Sequence, residues 1–210
     1  MIRKFSLSFA VILAVLALGS VARADTVTLV GIGGTGVDAT ISNYTLVGNT
    51  FTFTITNTAT EPGATGTITN IGFALPGDRL NNYTLIQDTT GNYEIAFDLN
   101  ATAGAQNFVS TFDLVLANKT NGNLTFGGGS VNDGIAPGAS ATFTITGDFS
   151  GLTPDEIAQA IFARFQDVNN GDSDVARANP IPEPMTMILF GTGLAGLAAR
   201  ARRRRGAAKE

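Results

Sequence analysis

Cysteine, histidine and tryptophan are all absent from the 210 residues of this chain. Without cysteine there can be neither disulfides nor thiolate metal sites, so sheet and core packing must supply the stability of any folded part. Without histidine the chain cannot build a Ser-His-Asp or Cys-His catalytic centre, or the usual zinc and copper sites. Paired carboxylates would suffice for glycoside hydrolysis, but no pair stands out. Composition therefore predicts a protein that is not an enzyme and that has no cofactor.

Basic residues are scarce between the two ends of the chain. Residues 25–180 hold 15 Asp or Glu against 4 Lys or Arg, and 4 minus 15 gives a net charge of −11 for that stretch. The value of −4 for the whole chain hides this, since most basic residues lie near the termini. A stretch this acidic repels phosphate backbones, so nucleic acid is not an expected partner.

The N-terminus has the pattern of an export signal. Arg3 and Lys4 precede an uncharged run over residues 5–18, and Ala22 and Ala24 are small residues at the two positions that a signal peptidase reads. This pattern predicts a signal peptide over residues 1–24, used by the Sec machinery and cleaved after Ala24. The run is short for a hydrocarbon core about 30 Å thick, which disfavours an uncleaved anchor.

The C-terminus carries a second apolar segment, which is followed by arginines. Residues 185–199 contain no charge, and a basic cluster follows them at once. We predict a single transmembrane helix over residues 185–199 and a basic cytoplasmic tail over residues 200–210. Fifteen residues at about 1.5 Å each span only about 22 Å, so we expect transient rather than permanent anchoring. The predicted cytoplasmic stop consists of Arg200, Arg202, Arg203, Arg204 and Arg205.

The order of these C-terminal parts resembles a known sorting signal. Pro182, Glu183 and Pro184 precede the apolar segment and the terminal arginines, as in the PEP-CTERM signal of Gram-negative bacteria. The two prolines also force an extended, accessible segment around Glu183. The resemblance implies processing near this motif by an exosortase-type membrane enzyme. It also implies an inner-membrane sorting intermediate, a final place at the cell surface or outside the cell, and an association with exopolysaccharide. Met185 and Thr186 depart from the small hydroxyl residue that usually follows the motif.

Between these ends, the dominant signal is alternation of apolar and polar residues with a period of two. Such alternation is typical of half-buried strands, and the turn-rich segments between the runs suit short antiparallel strands. We therefore predict an all-β exported domain over residues 25–176, built as an antiparallel β-sandwich, and a linker over residues 177–184. The predicted strands are residues 26–30, 51–56, 93–99, 108–116 and 142–146.

One short helix is predicted near the end of this domain. Thr153, Pro154 and Glu156 have the order of a capping box with proline at the first helical position. Residues 161–166 could either continue the helix or form a final strand, and we predict the strand.

Two loops resemble binding sites. Residues 31–36 match the G-x-G-x-x-G pattern of dinucleotide sites, but no helical pattern follows and Ser42 and Asn43 predict a turn. We therefore interpret residues 31–36 as a flexible glycine loop. Residues 167–174 are rich in oxygen ligands but have the wrong register for an EF-hand. The resulting weak calcium candidates are Asp167, Asn169, Asp172 and Asp174.

Threonine rows at 52, 54 and 56 and at 65, 67 and 69 would each lie on one sheet face if both segments are strands. Such rows can bind polysaccharide, although threonine also commonly fills the solvent face of a strand. We predict a noncatalytic cell-surface or extracellular-matrix protein. The alternative is a surface-displayed carbohydrate- or calcium-binding module.

Overall fold

The computed structural model describes residues 26–77, 79, 82–103, 108–118, 125–169 and 171–179. The predicted signal peptide, sorting motif, transmembrane helix and basic tail lie outside these residues. Within the described ranges, no helix has the length and hydropathy needed to cross a membrane.

The described residues form ten strands and one α-helix. The helix, α1, is Pro154–Gln159, and a single 3-10 turn covers Val131–Asp133. The strands are β1 Thr26–Gly31, β2 Asp38–Val47, β3 Thr50–Asn57, β4 Thr67–Phe73, β5 Thr84–Asp88, β6 Tyr93–Ala103, β7 Phe108–Asn118, β8 Ser140–Thr146, β9 Ile161–Val168 and β10 Asp172–Ala178.

All ten strands belong to one antiparallel sheet, in the order β5-β8-β3-β2-β1-β10-β9-β4-β7-β6. The last strand in sequence, β10, lies in the middle of this order, between β1 and β9. It therefore joins one half of the sheet, β5-β8-β3-β2-β1, to the other half, β9-β4-β7-β6.

The sheet curls around one main hydrophobic core. Phe53 of β3 and Phe73 of β4 lie five strands apart in the sheet order, yet their ring centroids are 5.6 Å apart. The ring of Tyr93 on β6 contacts Phe143 on β8 at 5.2 Å, so the two edges of the sheet also approach each other. Each of these side chains is buried, and together they make the sheet nearly closed.

A smaller apolar cluster covers the outer face of β7, β4 and β9. Phe112, Phe126 and Phe162 form its aromatic part, with ring centroids 4.5 Å and 5.4 Å apart for the pairs that include Phe112. Asn70 fastens the covering loop, because its side-chain amide donates to the carbonyl oxygens of Phe126 and Gly128. The strand β4 is therefore shielded from water on both faces, since every residue from Ile68 to Phe73 is buried.

The all-β, antiparallel prediction is confirmed. The predicted two-sheet sandwich is not confirmed, because β10 pairs on both sides and makes a single ten-stranded sheet. All five predicted strands are present, with somewhat different ends. The capping box is present as well, since the Thr153 hydroxyl accepts from the Glu156 amide and the Glu156 carboxylate accepts from the Thr153 amide. Residues 161–168 form the predicted strand.

Two local predictions were wrong. Ser42 and Asn43, predicted as a turn, lie inside β2, where Asn43 has a left-handed backbone with φ of 51° and the register with β3 shifts. Residues 177 and 178, predicted as the start of the linker, belong to β10. This segment was not recognised as a strand because Asp174 and Arg177 interrupt the regular alternation of apolar and polar residues that predicts one.

Candidate functional site

The point where the folded domain meets the C-terminal segment is fixed by β10. Ala178 lies opposite Leu29 of β1, and the Asn179 amide donates to the Thr28 carbonyl oxygen at 3.2 Å. The last described residue is therefore still bonded to the sheet. Pro182 follows three positions later, so at about 3.6 Å per residue its Cα lies at most about 11 Å from that of Asn179.

The same end of the domain is held by a network around Arg79. Its guanidinium donates to the Ser150 carbonyl oxygen at 2.8 Å and lies 3.7 Å from the Asp148 carboxylate. Hydrogen bonds from the Ser150 hydroxyl and amide lower the pKa of Asp148. Bonds from the Thr153 amide and hydroxyl likewise lower the pKa of Glu156 in the capping box. These charged groups stabilise the folded structure, since each forms hydrogen bonds or an ion pair with a neighbouring loop or helix cap.

The glycine loop between β1 and β2 binds a carboxylate of the protein itself. Asp174 on β10 is fully buried and accepts from the Gly33 amide at 2.8 Å and from the Thr35 hydroxyl at 2.5 Å. The fit is close, because a Cβ at Gly31 would lie 2.8 Å from an Asp174 oxygen. Asp174 thus occupies the backbone amides of Gly33 and Thr35, which could otherwise face a phosphate.

The weak calcium candidates are not gathered around one point. Asp174 faces the glycine loop, whereas Asp167, Asn169 and Asp172 are exposed at the β9–β10 turn. Asp167 and Asn169 have left-handed backbones, with φ of 54° and 51°. In the described part of the chain, no three acidic residues are grouped as a metal site would require. Calcium binding at this turn stays the alternative interpretation of these residues.

Arg164 is a buried cation that the sequence did not single out. Only 5% of it is exposed, its Nη2 donates to the Ser173 hydroxyl at 2.8 Å, and its Nε and Nη1 have no partner among the described residues. Burial lowers the pKa of Arg164, and the charge of Asp174 opposes that shift. Arg164 is therefore tied electrostatically to the same carboxylate that holds the glycine loop.

The first threonine row lies on one sheet face, as predicted. Hydroxyl groups pair across β3 and β8 at 2.8 to 3.1 Å. Such pairs stabilise a sheet and leave an uncharged hydroxyl surface. The second row is broken, because Thr65 lies outside β4 and Thr69 is buried at a register shift. Polysaccharide binding by these rows stays an alternative that belongs to the carbohydrate-binding interpretation. The pairs are Thr50 with Thr146, Thr52 with Thr144, Thr54 with Thr142, and Thr56 with Ser140.

A groove of about 580 Å³ separates the two edge strands, β5 and β6. Tyr83, Ile86, Asp88 and Tyr93 are among its lining residues. Asp88 fixes the turn that joins the strands, since its carboxylate accepts from the amides of Thr90 and Tyr93 at 2.8 Å each. The groove is open to solvent and its lining includes the acidic residues Asp88 and Glu94, so it differs from the enclosed, mostly apolar cavity that is typical of a ligand site.

Two tyrosines beside this groove are expected to make the stability of the fold sensitive to high pH. The Tyr83 hydroxyl donates to the Asp148 carbonyl oxygen, and burial raises the pKa of Tyr83 to about 12. Burial also raises the pKa of Tyr93, whose hydroxyl donates to the Ile68 carbonyl oxygen. The unfolded chain releases these protons near pH 10, so the stability that they contribute should be complete below about pH 10 and should fall as pH rises toward the folded-state values.

Urea unfolding of residues 25–179 near pH 9 and near pH 11 measures this loss as a lower midpoint at the higher pH. Tyr83→Phe should reduce the difference between the two midpoints. Equal midpoints for the unchanged domain would show that the two phenols do not couple folding to pH.

The residues that follow the folded domain match a known motif. Residues 180–204 match the PEP-CTERM protein-sorting motif. This chain carries a PEP-CTERM sorting motif. No curated protein and no solved structure matches the chain. The PEP-CTERM match begins at residue 180, directly after Asn179, whose amide is still bonded to β1. The sequence located the motif, but it did not reveal how short the connection is, because that depends on β10.

Proposed function

We propose that the chain is a noncatalytic cell-surface or extracellular-matrix protein, exported by the Sec route and sorted through its PEP-CTERM tail. The observation that carries this proposal is the PEP-CTERM match at residues 180–204. Its supporting context is an acidic, all-β folded region whose last described strand, β10, ends at Ala178, just before the motif.

In this proposal the two sides of the motif have different tasks. Residues 185–199 hold the chain in the inner membrane as a transient transmembrane helix, and the arginines stop it from passing through. Pro182 and Pro184 keep Glu183 in an extended segment outside the membrane, where an exosortase-type enzyme can reach it. Processing then releases the domain to the cell surface or its surroundings, where it associates with exopolysaccharide.

Glu183→Ala tests the proposal, because it removes the only charge within the motif and leaves the apolar segment intact. In a host that has the exosortase, unprocessed protein should accumulate in the inner membrane. Fractionation followed by detection with an antibody to the folded domain measures both size and location.

Glu210→Ala is the matched control, since it removes a carboxylate from the same tail outside the motif, and it should be processed normally. Replacing Arg202 to Arg205 with serine should instead weaken retention, so that part of the unprocessed chain leaves the inner membrane. An unchanged size and location for Glu183→Ala would remove the support for motif-dependent sorting.

A further inference from the structure

The strand directions place the β2–β3 hairpin at the same end of the domain as the sorting tail. β10 ends at Ala178 beside Leu29, whereas β2 continues past the start of β1, which lies opposite Ser42. The tip of the hairpin is formed by Val47, the last residue of β2, and by Gly48 and Asn49, which join β2 to β3. We propose that this hairpin tip contacts the lipid bilayer surface while the tail is in the membrane, an inference that rests on the proposed membrane insertion of residues 185–199.

The reach of the linker supports this contact. Asn179 is level with Thr28, which pairs with Thr40, and Thr40 pairs with Thr56 of β3. From Thr56 to Thr50 the hairpin extends six residues, or about 20 Å at about 3.3 Å per residue. The linker from Asn179 to Met185 also spans six residues, so it reaches at most about 22 Å.

Sheet twist reduces the projection of the hairpin but leaves it close to the membrane. Two strand steps separate β10 from β2, so the hairpin is tilted by about 40 to 50° and projects about 14 Å past Asn179. The start of the apolar segment then lies at most about 8 Å beyond the tip, which is close to the thickness of the headgroup region on one side of a bilayer. The strands β7 and β6 lie three and four steps from β10 in the sheet order, so accumulated twist turns them further aside.

The chemistry of the tip fits a membrane surface better than the rest of the domain does. Val47 is 76% exposed, the largest exposure among the exposed large apolar side chains of the described residues. No charge occurs from Ser42 to Phe53, although residues 25–180 carry a net charge of −11. Anionic headgroups repel an acidic surface, so an uncharged tip with an exposed valine is the part that can approach them.

The absence of cysteine makes the contact measurable. Val47→Cys creates a single thiol in the mature chain, residues 25–210, for an environment-sensitive fluorophore. Ile32→Cys is the matched control, because Ile32 is a 40% exposed apolar residue in the glycine loop at the opposite end of the domain. Each labelled protein is reconstituted into vesicles of phosphatidylethanolamine and phosphatidylglycerol that contain a headgroup-attached quencher, and vesicle-bound protein is isolated by flotation.

The label at position 47 should show blue-shifted emission and several-fold stronger quenching than the label at position 32. Six Gly or Ser residues inserted between Asn179 and Pro182 should abolish this difference without affecting flotation. Equal quenching at both positions in floating protein would overturn the contact, and a difference that survives the insertion would overturn the argument from reach. Protein that does not float would overturn the proposed anchoring, and with it this contact.

Discussion

Removal of residues 172–179 is expected to abolish cooperative folding of the exported domain. These residues form β10, which pairs with β1 on one side and with β9 on the other. Without β10, the two halves of the sheet lose their only pairing within the described strand order. The buried side chains of Val175 and Ala176 are lost from the two hydrophobic clusters at the same time.

The test compares two chains, residues 25–171 and residues 25–179. The longer chain should give a β-type circular dichroism spectrum and a single cooperative thermal transition, whereas the shorter chain should show neither. A cooperative transition in the shorter chain would contradict the central role of β10. Since translocation delivers the chain from its N-terminus, the sheet cannot be completed until residues next to the sorting motif have crossed the membrane.

Asp174→Ala is expected to cost about 3 to 5 kcal/mol of unfolding free energy, the range seen when one member of a buried charged network is removed. Three effects act together. The Gly33 and Thr35 amides lose a buried acceptor, Arg164 loses the negative charge that offsets its burial, and the truncated side chain leaves a void. This loss should appear as a lower urea midpoint with little change in the slope of unfolding free energy against urea concentration.

Asp172→Ala provides the control, because Asp172 lies on the same strand but is exposed, and its effect should stay within about 0.5 kcal/mol. Asp174→Asn separates the charge from the volume. It keeps the size of the side chain, but it places an amide donor or a neutral oxygen against the loop amides, so it should also be strongly destabilised. If Asp174→Asn were as stable as the unchanged domain, the carboxylate would have no special role in holding the glycine loop.

Strands with regular alternation could be predicted from the sequence, because their polar residues face water. In β3 and β8, phenylalanine and isoleucine enter the core while threonine hydroxyls pair on the outside. The helix could also be predicted, since a capping box acts through residues three apart and needs no tertiary partner.

Strands that contain buried polar residues could not be predicted in the same way. The sequence of β10 looks like a polar loop because it contains the charged residue Asp174. It forms a strand because backbone amides about 140 positions away in the sequence stabilise that carboxylate. The middle of β2 looks like a turn because Ser42 and Asn43 are common turn residues. In the structure, Asn43 adopts a left-handed backbone but stays inside the strand. In both segments, long-range pairing overrides a local pattern that favours a loop.

Among the functional features, those that are local in the sequence could be predicted, whereas those that depend on long-range pairing could not. The sorting motif is a local sequence feature and was recognised without a structure. The short connection to the sheet, the role of Asp174 and the position of the β2–β3 hairpin depend on strand order, which alternation alone does not determine.

The groove between β5 and β6 has a consequence for crowding. Copies of an exported protein can reach high local density on a cell surface, and free strand edges are then templates for fibrous aggregation. Here β5 is only five residues long and is bulged between Leu85 and Gln87. Its free edge faces β6 of the same molecule, joined by the tight Asp88 turn. A neighbouring molecule therefore finds no straight strand to extend at this edge, which favours the display of separate domains over lateral polymerisation.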